Sequence, residues 1–168
     1  MAGGSSNPGL DGKVASEPLA TVTVADWDLD EAILRSIRES VFVVEQSVPV
    51  ELEWDGLDLS CTHVIAFVKG GAAVGTARLL EDGHIGRMAV LGPWRRRGIG
   101  SSMLQALIRI ARERGLARCA LNAQTHAIPF YERHGFVAEG DEFDDAGIAH
   151  RHMVFRPRSG VSSGDRCA

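Results

Sequence analysis

Cysteine, tyrosine and long apolar runs are all scarce in this chain of 168 residues. Its three cysteines, Cys61, Cys119 and Cys167, show no metal-ligand spacing, and an odd count points to a reducing cytoplasm rather than a disulfide framework. No stretch approaches the roughly 20 apolar residues of a membrane-crossing helix, and no cationic start precedes an apolar segment. A cytoplasmic protein with no membrane partner is the expectation. Excess positive charge is missing too: 18 Lys and Arg stand against 22 Asp and Glu, a net charge of -4, so the field of the whole molecule disfavours nucleic acid.

What is present is one domain's worth of patterned chain. Residues 1–18 and 156–168 are rich in small and polar residues and are expected to be tails, which leaves residues 19–155 as the domain. Alternation predicts a strand over 20–26, and Asp28 followed by Glu31 has the form of a capping box opening a helix to about Ser40. Residues 41–46 declare no type, and a loop over 47–61 carries Glu51, Glu53, Asp55 and Asp58. Strands over 63–69, 72–80 and 84–90 follow, joined at Gly70-Gly71 and Asp82-Gly83, so an antiparallel meander is expected.

After it, Ile99, Met103, Leu107, Ile110 and Ala111 recur at helical spacing up to Gly115. A strand over 117–123, a short helix over 128–134 and two late strands complete the reading. Strand, loop, helix, strand is a βαβ unit, so the fold class is α/β (α+β), a mixed sheet with a parallel pair at its centre.

The loop of that unit is the most informative segment. Arg95-Arg96-Arg97-Gly98-Ile99-Gly100-Ser101 leads from strand to helix through glycines, and the unpaired amides of a helix's first turn attract phosphate. A P-loop lysine is absent, and Met103 stands where a dinucleotide fingerprint needs its third glycine. The remaining pattern, Arg95-x-x-Gly98-x-Gly100, resembles the acyl-CoA signature of the GNAT superfamily of N-acetyltransferases. Phe130-Tyr131-x-x-x-Gly135-Phe136 is similar to a second element of that family. Val41 to Gln46, Asp55-Gly56, His63, Ala123-Gln124, His126 and Gly147-Ile148 through His150 resemble its ElaA-like branch.

The resemblance implies a GNAT-type fold and acetyl-CoA as co-substrate, with no metal. It places the pyrophosphate on residues 95–101, the pantetheine on the strand edge at Met88, Ala89 and Val90, an oxyanion donor near Ala89, and a less secure contact at Asn122. Tyr131, the only tyrosine, occupies the family's general-acid position; its phenol, of reference pKa about 10, can protonate a leaving thiolate of pKa near 8.5. For the base, Glu45, Asp55, Asp58, His63, His126 and His150 are all candidates, since a water chain can carry the amine proton to any of them; Glu45 and then His63 lead. Asp55, Asp58, His126 and His150 are candidates for holding the acceptor. That acceptor is expected to be a small-molecule or peptide amine; a hydroxyl acceptor and a homodimer stay open. The rival readings are a catalytically silent acyl-CoA-binding module and, more weakly, nucleic-acid binding through Arg95 to Arg97.

Overall fold

β-Branched residues alternate through strand β1, Ala20–Ala25, and Asp26 ends it. The computed structural model describes residues 18–156; of the tails expected at 1–18 and 156–168, all but residues 18 and 156 lie outside the described residues, Cys167 included. Asp26 accepts at Oδ1 from the Asp28 amide (3.0 Å), and its own amide donates to Asp30 Oδ2 (3.0 Å). Helix α1, Trp27–Arg38, therefore starts from Asp26 and Asp30 rather than from Asp28 and Glu31. Glu31 instead accepts from Arg35 one turn later, at 2.7 Å.

Residues 41–46, which declared no type, continue α1 as a π-helical turn, Glu39–Glu45. The wider turn adds a residue per winding and rotates the faces that follow. The loop expected over 47–61 contains a short helix α2, Val50–Glu53, and a 3₁₀ turn, Asp58–Ser60.

The meander forms as expected from β2 (Thr62–Val68), β3 (Ala73–Leu79) and β4 (His84–Val90). Helix α3 spans Ile99–Glu113, β5 Ala120–Gln124, helix α4 Ile128–Arg133, β6 Phe136–Asp145 and β7 Ile148–Phe155. All seven strands join one sheet, in the order β1-β2-β3-β4-β5-β7-β6. Only β4 and β5 run parallel, across the βαβ crossover. The apolar face of α3 (Met103, Leu104, Leu107, Ala111) packs with Val64, Ala66, Ala77, Ile85 and Leu121 into the main core, while Ile37 and Val41 pack with Ala89 as a separate cluster.

Two local features shape the centre of this sheet. A Cβ at Gly83 would lie 1.9 Å from the Arg118 carbonyl oxygen, at φ +90°, so glycine alone lets β5 begin against the β3–β4 turn. Further along, β4 carries one residue more than β3: Thr76 faces Ala89 but Arg78 faces Gly86, and Arg87 adopts the left-handed conformation at φ +50°. Pairing of β4 with β5 is confined to His84 with Ala120 and Ile85 with Leu121. Beyond that point the two strands part.

Candidate active site

The cleft opened by the parting of β4 and β5 has a volume of about 620 Å³. One wall comes from the π turn and α2, through Phe42, Glu45, Gln46, Leu52 and Glu53; the other comes from β5 and the β6–β7 hairpin, through Asn122, Gln124, Ile148 and His150. Met88, Val90, Tyr131 and His126 also line it. The structure thus brings together the strand edge, the tyrosine, Glu45, Asn122, His126 and His150.

At one end the chain turns into α3. The first bond of this helix runs from the Ser102 amide to the Gly98 carbonyl at 3.0 Å, so the amides of Ile99, Gly100 and Ser101 precede any intrahelical bond. Gly98 holds φ +82°, and no side chain caps the turn. This contrasts with α1, whose first amides meet the carboxylates of Asp26 and Asp30. A Cβ at Gly100 would rest 3.5 Å from the Phe130 ring, an ordinary contact. Ser101 Oγ and His134 Nε2 are hydrogen-bonded at 2.9 Å and tie this turn to α4. The pieces fit an anionic diphosphate: free amides, no acidic residue in the first turn, and Arg96 and Arg97 immediately before it in the chain.

Of the three arginines of which one or more is expected on the phosphate, Arg95 is paired elsewhere in this structure. Its Nη1 and Nη2 donate to Glu45 Oε1 and Oε2 at 2.6 and 2.7 Å, and its Nε donates to the Val90 carbonyl at 2.8 Å. The side chain therefore fastens the π turn to the end of β4 instead of facing a phosphate. The hydrogen bonds from Arg95 also hold the Glu45 carboxyl below its ordinary pKa, and a weakly basic, fully paired carboxylate is a poor proton acceptor. In this structure Glu45 serves as a tether to Arg95.

His63, Asp55 and Asp58 do not line the cleft either. His63 is buried in β2 beneath Trp27, with ring centroids 4.8 Å apart, and its Nε2 lies 2.9 Å from the Asp58 carbonyl oxygen. Burial lowers its pKa, so the ring is neutral and structural. Asp58 accepts from Arg38 at 2.7 Å and Arg78 at 2.9 Å, and Asp55 from Arg78 at 2.6 Å. Hydrogen bonds from Arg78 hold Asp55 far below the usual carboxylate range; at Asp58, burial acts upward but Arg38 and Arg78 together prevail. The expected acidic acceptor loop is thus a neutralised ionic cluster behind the wall.

Glu53, named with the acidic loop but not among the candidate site residues, completes that cluster. It is 2% exposed, is bridged by Arg38 at 2.5 Å and Arg87 at 3.0 Å, and reaches the cleft. Burial raises its carboxyl pKa, with Arg38 and Arg87 opposing. Arg87 also donates to the Leu52 carbonyl at 3.1 Å, so the bulged residue of β4 is clamped to α2. An acidic residue in an otherwise ordinary loop gave no sequence signal for this contact, because its partners lie 15 and 34 positions away.

Tyr131 rises from α4 with its hydroxyl 3.6 Å from Met88 Sδ, and burial pushes its pKa up to about 12. The phenol is therefore neutral and able to donate at physiological pH. Asn122 is exposed, with Oδ1 3.1 Å from His152 Nδ1. Among the described residues, no group of three or more His, Cys, Asp or Glu is placed to hold a metal ion, and no helix is long and apolar enough to cross a membrane.

Comparison with known proteins agrees with this geometry. Residues 30–157 match the family model described as "Acetyltransferase (GNAT) domain". The chain is 41% identical over 122 residues to the Bacillus subtilis protein described as an uncharacterized N-acetyltransferase, YjcF, across 70% of this chain and 86% of that one. Among solved structures, an acyl-CoA N-acyltransferase from Pseudomonas aeruginosa superposes with a TM-score of 0.71 at 31% identity, over 82% of this chain and 99% of the other. Escherichia coli ElaA does so with a TM-score of 0.72 at 25% identity, over 82% and 99%. Strand parting, uncapped helix and tyrosine-bearing cleft are accordingly those of an acyl-CoA-dependent acyltransferase, and this chain belongs to the GNAT acetyltransferase family.

Proposed function

We propose that the protein transfers an acetyl group from acetyl-CoA to a primary amine by direct attack within the cleft. The observation that carries this reading is the placement of an unpaired β4 edge and the neutral Tyr131 phenol in one cleft, with the uncapped α3 N-terminus following soon after β4 in the chain. Each meets a separate demand of the co-substrate. The amides of residues 96–101, with Arg96 and Arg97, take the pyrophosphate; the backbone at Met88, Ala89 and Val90 takes the amides of the pantetheine arm as an added strand would. Parting of β4 from β5 after Ile85 supports this, because it leaves the β4 edge without a strand partner.

The amine attacks the thioester carbonyl, and negative charge develops on its oxygen. A backbone amide near Ala89 stabilises that oxyanion. As the carbon–sulfur bond breaks, the electron pair leaves with sulfur, and Tyr131 supplies the proton that makes it a thiol. A phenol kept neutral by burial suits that step, since a tyrosinate would have nothing to give.

Thiol release from acetyl-CoA, measured over a panel of primary amines, tests the reading. Amine-dependent release that falls at least about 100-fold in Tyr131→Phe, with acetyl-CoA binding retained, is the expected result. Tight acetyl-CoA binding with no turnover on any amine would overturn it in favour of a silent binding module.

A further inference from the structure

With Glu45, His63, Asp55 and Asp58 removed from the proton path, the reaction still needs a group to take the proton of the incoming ammonium. We infer that His150 is that base, acting through Nε2; the inference rests on the amine acetyltransfer proposed above.

The first argument is position. The parallel register pairs His84 with Ala120 and Ile85 with Leu121, so continuing up both strands brings Gln124 level with Met88 and Ala89, allowing for the extra residue of the bulge. Gln124 is directly paired with His150 on β7. His150 thus stands across the cleft at the level where Tyr131 Oη meets Met88 Sδ. The two residues also come from opposite sides of the sheet. Tyr131 packs against the main core with α3, whereas Gln124, which shares a sheet face with its partner His150, is hydrogen-bonded to Gln46 of the π turn at 2.8 Å. Acid and base therefore flank the thioester level from the co-substrate side and the acceptor side.

The second argument is the tautomer. His150 Nδ1 lies 2.8 Å from the Ile148 carbonyl oxygen. A carbonyl can only accept, so Nδ1 carries the proton and Nε2 of the neutral ring carries the lone pair. The ring is 9% exposed and stacked on Phe143 with centroids 5.9 Å apart, which fixes its plane. None of the other cleft groups combines these properties. Glu45 and Glu53 are bound by arginines, His84 and His126 have no ring hydrogen bond to a described residue, and Asp145 sits on the exposed β6–β7 hairpin. His152, two residues on, has Nδ1 against Asn122 and Nε2 toward Arg118.

The protons balance. His150 Nε2 takes one proton from the ammonium, directly or through water, leaving a neutral amine. The nitrogen–carbon bond forms, the carbon–sulfur bond breaks, and sulfur receives the Tyr131 proton. The surplus proton on the new amide nitrogen returns to the Tyr131 oxygen, and His150 releases its own to solvent.

Two measurements test this. Long-range ¹H–¹⁵N spectra of the intact protein, assigned by comparison with His150→Gln, should show the neutral His150 ring as the Nδ1–H tautomer; a neutral ring with its proton on Nε2 would overturn the inference. Thiol release from acetyl-CoA with ethanolamine, a basic amine, should fall about 100-fold in His150→Gln. With hydroxylamine, already deprotonated near neutral pH, it should fall less than about threefold, because no ammonium proton needs removal. Equal losses with both amines, in a variant that keeps its melting temperature, would reduce His150 to a structural role. Absence of wild-type turnover with either amine, despite acetyl-CoA binding, would instead count against the acetyltransfer reading itself and the base with it.

Discussion

Two neighbouring groups of ionisable side chains, made from the same residue types, do opposite work in this protein. Along and behind one wall of the cleft, Arg38, Arg78 and Arg87 face Glu53, Asp55 and Asp58, three charges of each sign within 3.2 Å contacts. Inside the cleft stand Tyr131, His150, His126 and His84, none of them in an ion pair among the described residues. The first set is saturated and holds α1, α2 and the β4 bulge in place. The second keeps protons and lone pairs available. What separates structure from chemistry here is partner saturation, not residue type.

Substituting one member of each set tests that division, and Tyr131→Phe should give the largest effect. Turnover is expected to drop by a factor of about 100 to 10,000, with the melting temperature kept within a degree or two, since only a hydroxyl against a thioether is lost. A large fall in stability would show that Tyr131 belongs to the structural set. Asp58→Ala reverses the pattern. It takes one of two carboxylate partners from each of Arg38 and Arg78, both at most 3% exposed, leaving Glu53 and Asp55 to hold them, and should destabilise by about 3 kcal/mol in urea unfolding. Turnover per folded molecule should change little; a selective loss of turnover would place Asp58 in the chemistry.

Acid titration sharpens the same contrast through the depressed pKa values of Asp55 and Asp58. A carboxylate whose folded pKa lies below its unfolded value contributes stability that is complete above the unfolded pKa. That contribution is lost as pH falls from about 4 through the folded pKa. Unfolding free energy should therefore decline below pH about 4, and Asp58→Asn should flatten the decline. Two smaller effects complete the series. Gly98→Ala places a side chain at φ +82° with open space around it, so the expected cost is about 1 kcal/mol of backbone strain and a several-fold rise in KM for acetyl-CoA. Glu45→Gln, which weakens an exposed tether, should change turnover less than about threefold and stability by under 1 kcal/mol. A hundredfold loss would restore Glu45 as the base.

Legibility of the sequence followed the range of the interactions involved. The meander, α3 and its Gly98 start, and the Phe130 to Phe136 element were readable because alternation, helical spacing and turn glycines act within a few residues. The π turn was not, since the same six residues read equally well as strand or helix. The cap of α1 was misplaced by two residues because three aspartates at 26, 28 and 30 compete and only their geometry chooses. His63 and the acidic loop were misread for a different reason. Isolated acids look available until Arg78, 20 and 23 positions away, arrives on Asp58 and Asp55, and the histidine until Trp27 and the Asp58 carbonyl enclose it.

By itself the sequence determined the fold class, the glycine-lined turn into α3 and the presence of a single phenol, because local backbone preferences and residue identity suffice for those. Tertiary structure decided which side chains remain free. Whether a carboxylate is a base or a tether depends on a guanidinium brought by another element, and whether an imidazole can accept a proton depends on the carbonyl its other nitrogen meets. Those partners are set by packing, so the division of Glu45, Asp58, His63 and His150 into neutralised and available groups exists only in the folded chain.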